Sequence, residues 1–331
     1  MLSIIIYLVV GCALIFEFIN GFHDTANAIA TTVYTRALTA RRAILLAAVM
    51  NFCGALVSEK VAKTITSGLV SVHLEEYVVL GALLAAIIWD LVTWAQGIPS
   101  SSSHALIGGL IGAAIAFEMS FEHIIWSGLL EKVVIPLITS PVIGFFVGLG
   151  LMKLLVRAVA GWSLARVNKI FSKLQVLSAA LVAFSHGTND AQKTMGIITL
   201  ALITNGTLPA DAGVPIEVKI ACAVVMMAGT SIGGWKIMKT MGRGVTHLDP
   251  ARGFIAQTSS AIVIESMSAF GAPISTTHVI TSSVMGVGSA RRASAVKWGK
   301  AQDIVITWVI TIPITMVLGA LCTFVLKLIV G

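Results

Sequence analysis

The chain has 331 residues, 57% of them hydrophobic and only 11% charged, with a mean hydropathy of +0.95. A water-soluble domain of that make-up would expose a very large apolar surface, so soluble enzymes and soluble binding modules are excluded and a membrane protein remains. The net charge of +7 does not call for a nucleic-acid partner, because the basic residues are confined to short loops between apolar runs.

In chain order, apolar stretches near residues 3–18, 43–58, 77–97, 133–156, 217–235 and 301–330 each approach the roughly 20 residues that carry a helix across about 30 Å of hydrocarbon. Helices are required, since a lipid-facing segment must satisfy its backbone internally and barrel strands would alternate polar with apolar residues. The first stretch has no basic segment before it and runs directly into a polar motif, which reads as a retained helix and not a cleaved leader. Four basic clusters follow along the chain: Arg36, Arg41 and Arg42; Lys153, Arg157, Arg166, Lys169 and Lys173; Lys236, Lys239, Arg243 and Arg252; and Arg291, Arg292, Lys297 and Lys300. Even numbers of crossings separate them, so the positive-inside bias makes their loops cytoplasmic. The opposite loops carry Glu75, Glu76, Glu118, Glu122, Glu131 and Asp211, which places both termini on the non-cytoplasmic side. Contact with anionic lipid then accounts for the positive balance. Cys12, Cys53, Cys222 and Cys322 stand singly in apolar segments with no ligand-spaced neighbour and read as packing residues.

A repeat organises these elements. The run from Phe18 to Asn27 recurs from Phe184 to Lys193 at an offset of 166, with Phe, Gly and Asp matching, and the run from Gly97 to His104 recurs from Gly271 to His278 at an offset of 174. Each copy offers a long interrupted helix (about 3–35 and 174–205), two ordinary helices, a shorter Ser/Thr/Gly segment (99–117 and 273–289) and a closing helix. Five passes is an odd number, so the second copy enters from the opposite face. The expectation is an all-α integral membrane protein of two inverted-topology repeats, 1–157 and 174–331, joined by a basic cytoplasmic linker at 158–173, with short or re-entrant Ser/Thr-rich helices at the centre.

Asp24 and Asp190 lie midway along the interrupted helices, each with a glycine three residues earlier. A carboxylate at that depth costs a few kcal/mol unless paired or hydrated, which marks a functional site. With amide oxygens from Asn20, Asn27 and Asn189 beside them, these carboxylates suit a hard cation or a proton, and sodium at Asp24 and Asn27 is one such arrangement. Pro99 before Ser100, Ser101, Ser102 and Ser103, and Pro273 before Ser275, Thr276 and Thr277, read as helix starts. Their free amides and positive dipole ends suit an anion, and two from inverted halves would converge near the midplane. Close packing of small residues accounts for Ser and Thr there, but not for Pro and His at fixed positions in both copies. His23, His104, His186 and His278 gather four of the seven histidines at this centre, as proton carriers or as hydrogen-bonding supports. Gln257, Thr258 and Ser259 add polar contacts; Asp90 and Glu265 are gate or pairing candidates, and Glu17 faces either Asn20 or a basic residue.

At Gly21 to Asn27, Ser185 to Asp190, Pro99 to His104 and Pro273 to His278 the chain resembles the inorganic phosphate transporter family, PiT, and within it the bacterial low-affinity members, over essentially its whole length. The resemblance implies phosphate symport across the cytoplasmic (inner) membrane by a homodimer, with no cofactor, and a substrate site of Ser101, Ser102, Ser103, Ser275, Thr276, Thr277 and Gln257. It implies a coupling site of Asp24, Asn27, Asp190, Asn189, Lys193, His104 and His278, taking a proton or sodium. Related permeases carry sulfate, and free phosphate and its metal complex are both open as cargo. Where the sodium-coupled pattern repeats an Asn, this chain has Lys193, whose ammonium would take the place of one sodium ion and favour proton coupling. The alternative is a structural pair with Asp190, or contact with the anion, while sodium still binds at Asp24. The family's long central insert is missing. An intramembrane enzyme would need an asymmetric catalytic set, which duplicated motifs do not supply, and a channel would need a continuous polar lining.

Overall fold

The computed structural model describes residues 4–67, 75–119 and 125–330. Glu122 lies outside the described residues. The first half comprises α1 (Ile4–Tyr34), α2 (Ala40–Ala55), α3 (Lys60–Ser67), α4 (Glu76–Gln96), α5 (Ser102–Glu118) and α6 (Trp126–Leu129), which continues through a π turn into α7 (Ile135–Ala158). The second comprises α8 (Leu164–Thr204), α9 (Ile216–Ile232), α10 (Trp235–Gly244), α11 (Pro250–Ala269), α12 (Thr276–Ser289) and α13 (Trp298–Val330). Among the described residues, five helices are long and apolar enough to cross a bilayer unaided, and α2 with α3 forms a pair bent by 66°. At 17 and 14 residues, α5 and α12 are too short to span it. The connection between the halves is helical from Leu164 onward, so residues 164–173 belong to α8.

The inversion is visible in the pairing of α1 with α8. Thr194 donates to Glu17 at one end, and Thr35 Oγ1 donates to Gln175 Oε1 at 2.7 Å at the other, so the two long helices lie side by side and antiparallel. Glycines set how closely their neighbours approach. A Cβ on Gly54 of α2 would overlap the carbonyl oxygen of Phe184 on α8, and one on Gly229 of α9 would overlap that of Phe18 on α1. These two crossings are images of each other in the two halves. Such small-residue contacts hold helices together where lipid removes the hydrophobic drive between them.

The expected interruption of the two long helices is not found. Both α1 and α8 run unbroken through their polar motifs. Gly21 and Gly187 are notches for the backbones of α9 and α2, where a Cβ would meet the carbonyl oxygens of Met226 and Asn51, and are not hinges. The breaks fall instead in the neighbouring helices. The span read at 43–58 is α2, after which the chain bends into the short α3, and 217–235 is α9 running into the start of the short α10. Both short helices are missed by apolar-run reasoning because they mix Lys with apolar residues.

Polarity is arranged inside out. Ile138 and Phe146 of α7 and Val309 and Phe324 of α13 are all at least 60% exposed, as a lipid-facing surface requires, whereas the polar motifs of α1, α5, α8 and α12 are buried.

Candidate functional site

Two turns of like construction deliver the short helices to the centre. The helix α4 ends at Gly97 (φ 69°) and α11 at Gly271 (φ 73°), both left-handed conformations that a side chain would strain. Pro99 and Pro273 follow. Ser101 then caps α5 by accepting from the His104 amide at 3.2 Å, and Ser275 caps α12 by accepting from the His278 amide at 3.3 Å. Both expected helix starts are present and buried, α5 reaching α8 through Ser103 and α12 reaching α1 and α8 through Thr277 and Thr276.

The repeated carboxylates are brought together. One ligand atom each from Asp24, His186 and Asp190 lies within 4.8 Å of the others, all in buried positions, a group able to hold a cation. Asp190 is the more heavily held. Thr276 Oγ1 donates to its Oδ2 at 2.8 Å, His186 Nε2 stands 3.0 Å from the same oxygen, and the Lys193 ammonium donates to Oδ1. Asp24 has His23 Nδ1 at 2.6 Å and, among the described residues, no lysine or arginine partner. Two cross-connections tie each long helix to the short helix of the other half: Asn27 Nδ2 donates to Thr277 Oγ1 at 2.8 Å, and Lys193 Nζ donates to Ser103 Oγ at 2.5 Å and to the Ile274 carbonyl at 2.8 Å. Among the described residues, side-chain oxygens of Asn20, Asn27 and Asn189 are buried with no hydrogen-bond partner, and the Ser102 hydroxyl faces the buried Asp90 carboxyl without a close hydrogen bond. Unpaired acceptors at such depth are costly, and they indicate a site whose ligands complete it.

Other expected residues lie elsewhere. Gln257 donates to the Ala28 carbonyl at 3.0 Å and to Thr32 Oγ1 at 2.6 Å and accepts from Ser178, so it bridges α1, α8 and α11 further along. Asn189 donates to Ser268 and to the Ala272 carbonyl, steadying the turn before α12. The rings of His104 and His278 meet edge to face at 4.4 Å, His278 stacks on Trp308 at 3.9 Å, and both line an apolar cavity of about 520 Å³ between α7 and α13. No hydrogen bond joins either imidazole to Asp24 or Asp190 among the described residues. Asp90 is fully buried in α4, and Glu17 accepts from Thr194, not from a basic residue. The four cysteines are free, although Cys53 is exposed.

Sequence reasoning missed a supporting network. Asn51 Nδ2 donates to Thr25 Oγ1 at 2.8 Å and to Thr230 Oγ1 at 2.9 Å, while its Oδ1 stands 3.2 Å from His186 Nδ1. It fixes the orientation of the imidazole that faces Asp190. A lone Asn in the apolar run of α2 was the available signal. The spacing of Gly229, Ser231 and Gly233 matches a hydrolase nucleophile turn, but Ser231 is exposed on α9 and donates to the Met227 carbonyl at 2.8 Å. It forms no part of the buried centre.

Comparison with known proteins bears on this geometry. The model of the phosphate transporter family matches residues 20–163 and 158–319, two successive stretches. A probable low-affinity inorganic phosphate transporter of Bacillus subtilis is 50% identical over 331 residues, 99% of each chain. One of the same description from Rhizobium meliloti is 45% identical over 95% of this chain and 94% of its own. Among solved structures, one described as the sodium-dependent phosphate transporter superposes with a TM-score of 0.88 at 27% identity, covering 99% of this chain and 100% of that one.

Proposed function

We propose, on the premise that this chain belongs to the phosphate transporter family, that it works as a proton-coupled symporter of inorganic phosphate in the cytoplasmic membrane, as a homodimer. It is a membrane phosphate transporter of the PiT type and not an enzyme. In this reading the starts of α5 and α12 bind the oxyanion through amides and through the hydroxyls of Ser102 and Thr276, while Ser101 and Ser275 cap the two helices and Ser103 and Thr277 are engaged by Lys193 and Asn27. Asp24 and Asp190 hold the coupling charge.

The observation that carries proton coupling is the place of Lys193. Its ammonium rests on Asp190, Ser103 and the Ile274 carbonyl in a buried position, supplying permanently a positive charge that a sodium-driven carrier recruits from solution. Asp24, with no fixed cation, is left to take up the transported proton.

Sodium coupling is the second reading. It is favoured by the Asp24, His186 and Asp190 group together with the unpartnered amide oxygens of Asn20, Asn27 and Asn189, which offer a hard cation carboxylate and carbonyl ligands. Radiolabelled phosphate uptake into proteoliposomes decides between them. Under the first reading an inward pH gradient drives uptake without sodium and a protonophore abolishes it; uptake that requires sodium and ignores the pH gradient establishes the second. Competition by sulfate, and uptake with and without divalent metal, test the cargo.

A further inference from the structure

Two residues outside the site occupy mirror positions and do the same thing. Lys60, first residue of α3, donates from Nζ to the carbonyl of Ala269 at 3.0 Å; Lys236, second residue of α10, donates from Nζ to the carbonyl of Ala95 at 3.0 Å. Each acceptor lies in the last turn of a helix, where free carbonyls and the negative dipole end favour an ammonium. Each helix so held, α11 or α4, is the one whose left-handed glycine launches a substrate-binding turn. The fit continues past the lysine. A Cβ on Gly271 would stand 3.0 Å from the Lys60 carbonyl oxygen and 3.2 Å from Thr64 Oγ1, and one on Gly97 would stand 3.2 Å from Lys236 Cβ. Thr240, one turn on from Lys236, donates to the Gly97 carbonyl at 2.8 Å.

The two contacts are on opposite faces. The short α3 packs on α8 near Gly196, towards the C-terminal end of that helix, and α10 packs on α1 at Phe22 and Ala26 and lines a cavity of about 890 Å³ with Tyr34 and Arg36 at the C-terminal end of α1. Because α1 and α8 are antiparallel, those ends point to opposite sides. The contacts are not identical: Lys236 Nζ also lies 5.7 Å from the ring centroid of Trp94 on α4, and Thr64 turns its hydroxyl to its own helix where Thr240 also reaches Gly97. The amides of Val61 and Ala62 at the start of α3 donate to Gln192 Oε1 at 2.8 and 3.3 Å, which ties α3 to α8 two residues from Asp190; α10 has only packing at the equivalent place.

We propose that Lys60 and Lys236 are the latches of two gates, α3 and α10, each of which closes one face of the carrier by clamping the turn that leads into a substrate-binding helix. Both latches are made in this structure, which is therefore closed on both sides. Release of one opens a path to the site from its own face while the other holds. Gln192 links the α3 latch to the occupancy of Asp190, so the gates respond unequally to the coupling charge. The inference rests on the chain being a phosphate carrier and is independent of whether a proton or sodium drives it.

Sided thiol labelling tests this. Cys12, Cys53, Cys222 and Cys322 are replaced by alanine, retention of phosphate uptake is checked, and a reporter is placed beneath each latch by Ala272→Cys or Ile98→Cys. A membrane-impermeant maleimide is applied to vesicles of each orientation. Lys60→Met is expected to raise labelling at Ala272→Cys by about tenfold from one face only, and Lys236→Met to raise it at Ile98→Cys by a like factor from the opposite face only. Lys60→Arg and Lys236→Arg, which keep a cationic donor, restore the parent rates. Labelling that rises equally from both faces, or that stays at the parent rate in both Met variants, overturns the proposal. Phosphate uptake measured on the same vesicles separates loss of the carrier from loss of a latch.

Discussion

Lys193 stands to Ser103 as Asn27 stands to Thr277. In each half a side chain three residues after the repeated Asp reaches across to the hydroxyl at the same position of the other half's short helix, at 2.5 Å for the lysine and 2.8 Å for the asparagine. The inverted repeat is thus kept in its contacts and broken in its charge. One copy carries a neutral amide whose Oδ1 is free, and the other a fixed cation paired with Asp190. Two halves of common design differ in the charge they place beside the repeated carboxylate.

The charge asymmetry gives the first expectation. Lys193→Asn restores the neutral amide in the second half, so an exogenous cation becomes necessary at Asp190. Uptake by this variant is expected to lose most of its response to an imposed pH gradient and to gain stimulation by sodium, measured in proteoliposomes with each gradient applied alone. A response to pH equal to that of the parent would remove Lys193 from the coupling site.

The repeated carboxylates should part company when stability is measured. Asp24→Asn and Asp190→Asn are both expected to abolish uptake, since each removes a charge from the site. Asp190→Asn also leaves a buried ammonium without its counter-ion, a loss of roughly 3–5 kcal/mol. Among the described residues Asp24 has no lysine or arginine partner, only the His23 imidazole, so its replacement should cost less. Thermal unfolding in detergent checks this: a large drop for Asp190→Asn, a small one for Asp24→Asn, and recovery of the former, without transport, in Asp190→Asn combined with Lys193→Met. Equal drops for the two single variants would contradict the pairing.

How much of this is legible in the sequence depends on whether identity or geometry carries the signal. Asp24, Asp190 and the Pro-Ser/Thr starts are recoverable because a polar residue in an apolar run is conspicuous and its recurrence at a fixed offset excludes chance. The short helices α3 and α10 are not, because eight to ten residues mixing lysine with apolar side chains resemble a loop. Gly21 and Gly187 mislead for a physical reason: a glycine before a buried Asp fits a broken helix and a close helix crossing equally well, and only the position of the neighbouring backbone decides. For His104 and His278 sequence proximity to the Ser/Thr motif is real, yet each side chain leaves its short helix toward α7 and α13, a direction that composition does not encode.

The glycine crossings can be tested directly. Gly54→Ala and Gly229→Ala each place a methyl group against a carbonyl oxygen of a facing helix and are expected to cost about 1–3 kcal/mol through forced separation of the helices. Gly11→Ala in α1, where nothing lies within 4 Å of the added carbon, is expected to be neutral or stabilising by up to about 1 kcal/mol through helix propensity. Unfolding temperatures for the three variants in one detergent provide the comparison, and similar values for all three would show that the crossings tolerate separation.

The hydroxyls of the two short helices should divide into a substrate pair and a coupling pair. Ser102 and Thr276 occupy equivalent positions. The Ser102 hydroxyl is buried beside the Asp90 carboxyl without a close hydrogen bond among the described residues, while Thr276 Oγ1 donates to Asp190 Oδ2 at 2.8 Å. Ser103 and Thr277 are instead engaged by Lys193 and Asn27. A hydroxyl at a helix start that makes no close hydrogen bond can turn to donate to a bound anion, and its loss then removes a hydrogen bond to a charged group worth about 1.5–3 kcal/mol. Ser102→Ala is therefore expected to raise the phosphate concentration for half-maximal uptake by roughly tenfold or more while leaving the dependence on the driving gradient unchanged. Ser103→Ala removes a contact of Lys193 and is expected to alter that dependence with a smaller change in half-saturation, and Thr277→Ala to do the same through Asn27. Thr276→Ala, which removes a donor to Asp190 from the start of α12, should change both. Uptake measured against phosphate concentration at two values of the imposed gradient separates the effects, and a Ser102→Ala variant with the parent's half-saturation would move the anion away from the start of α5.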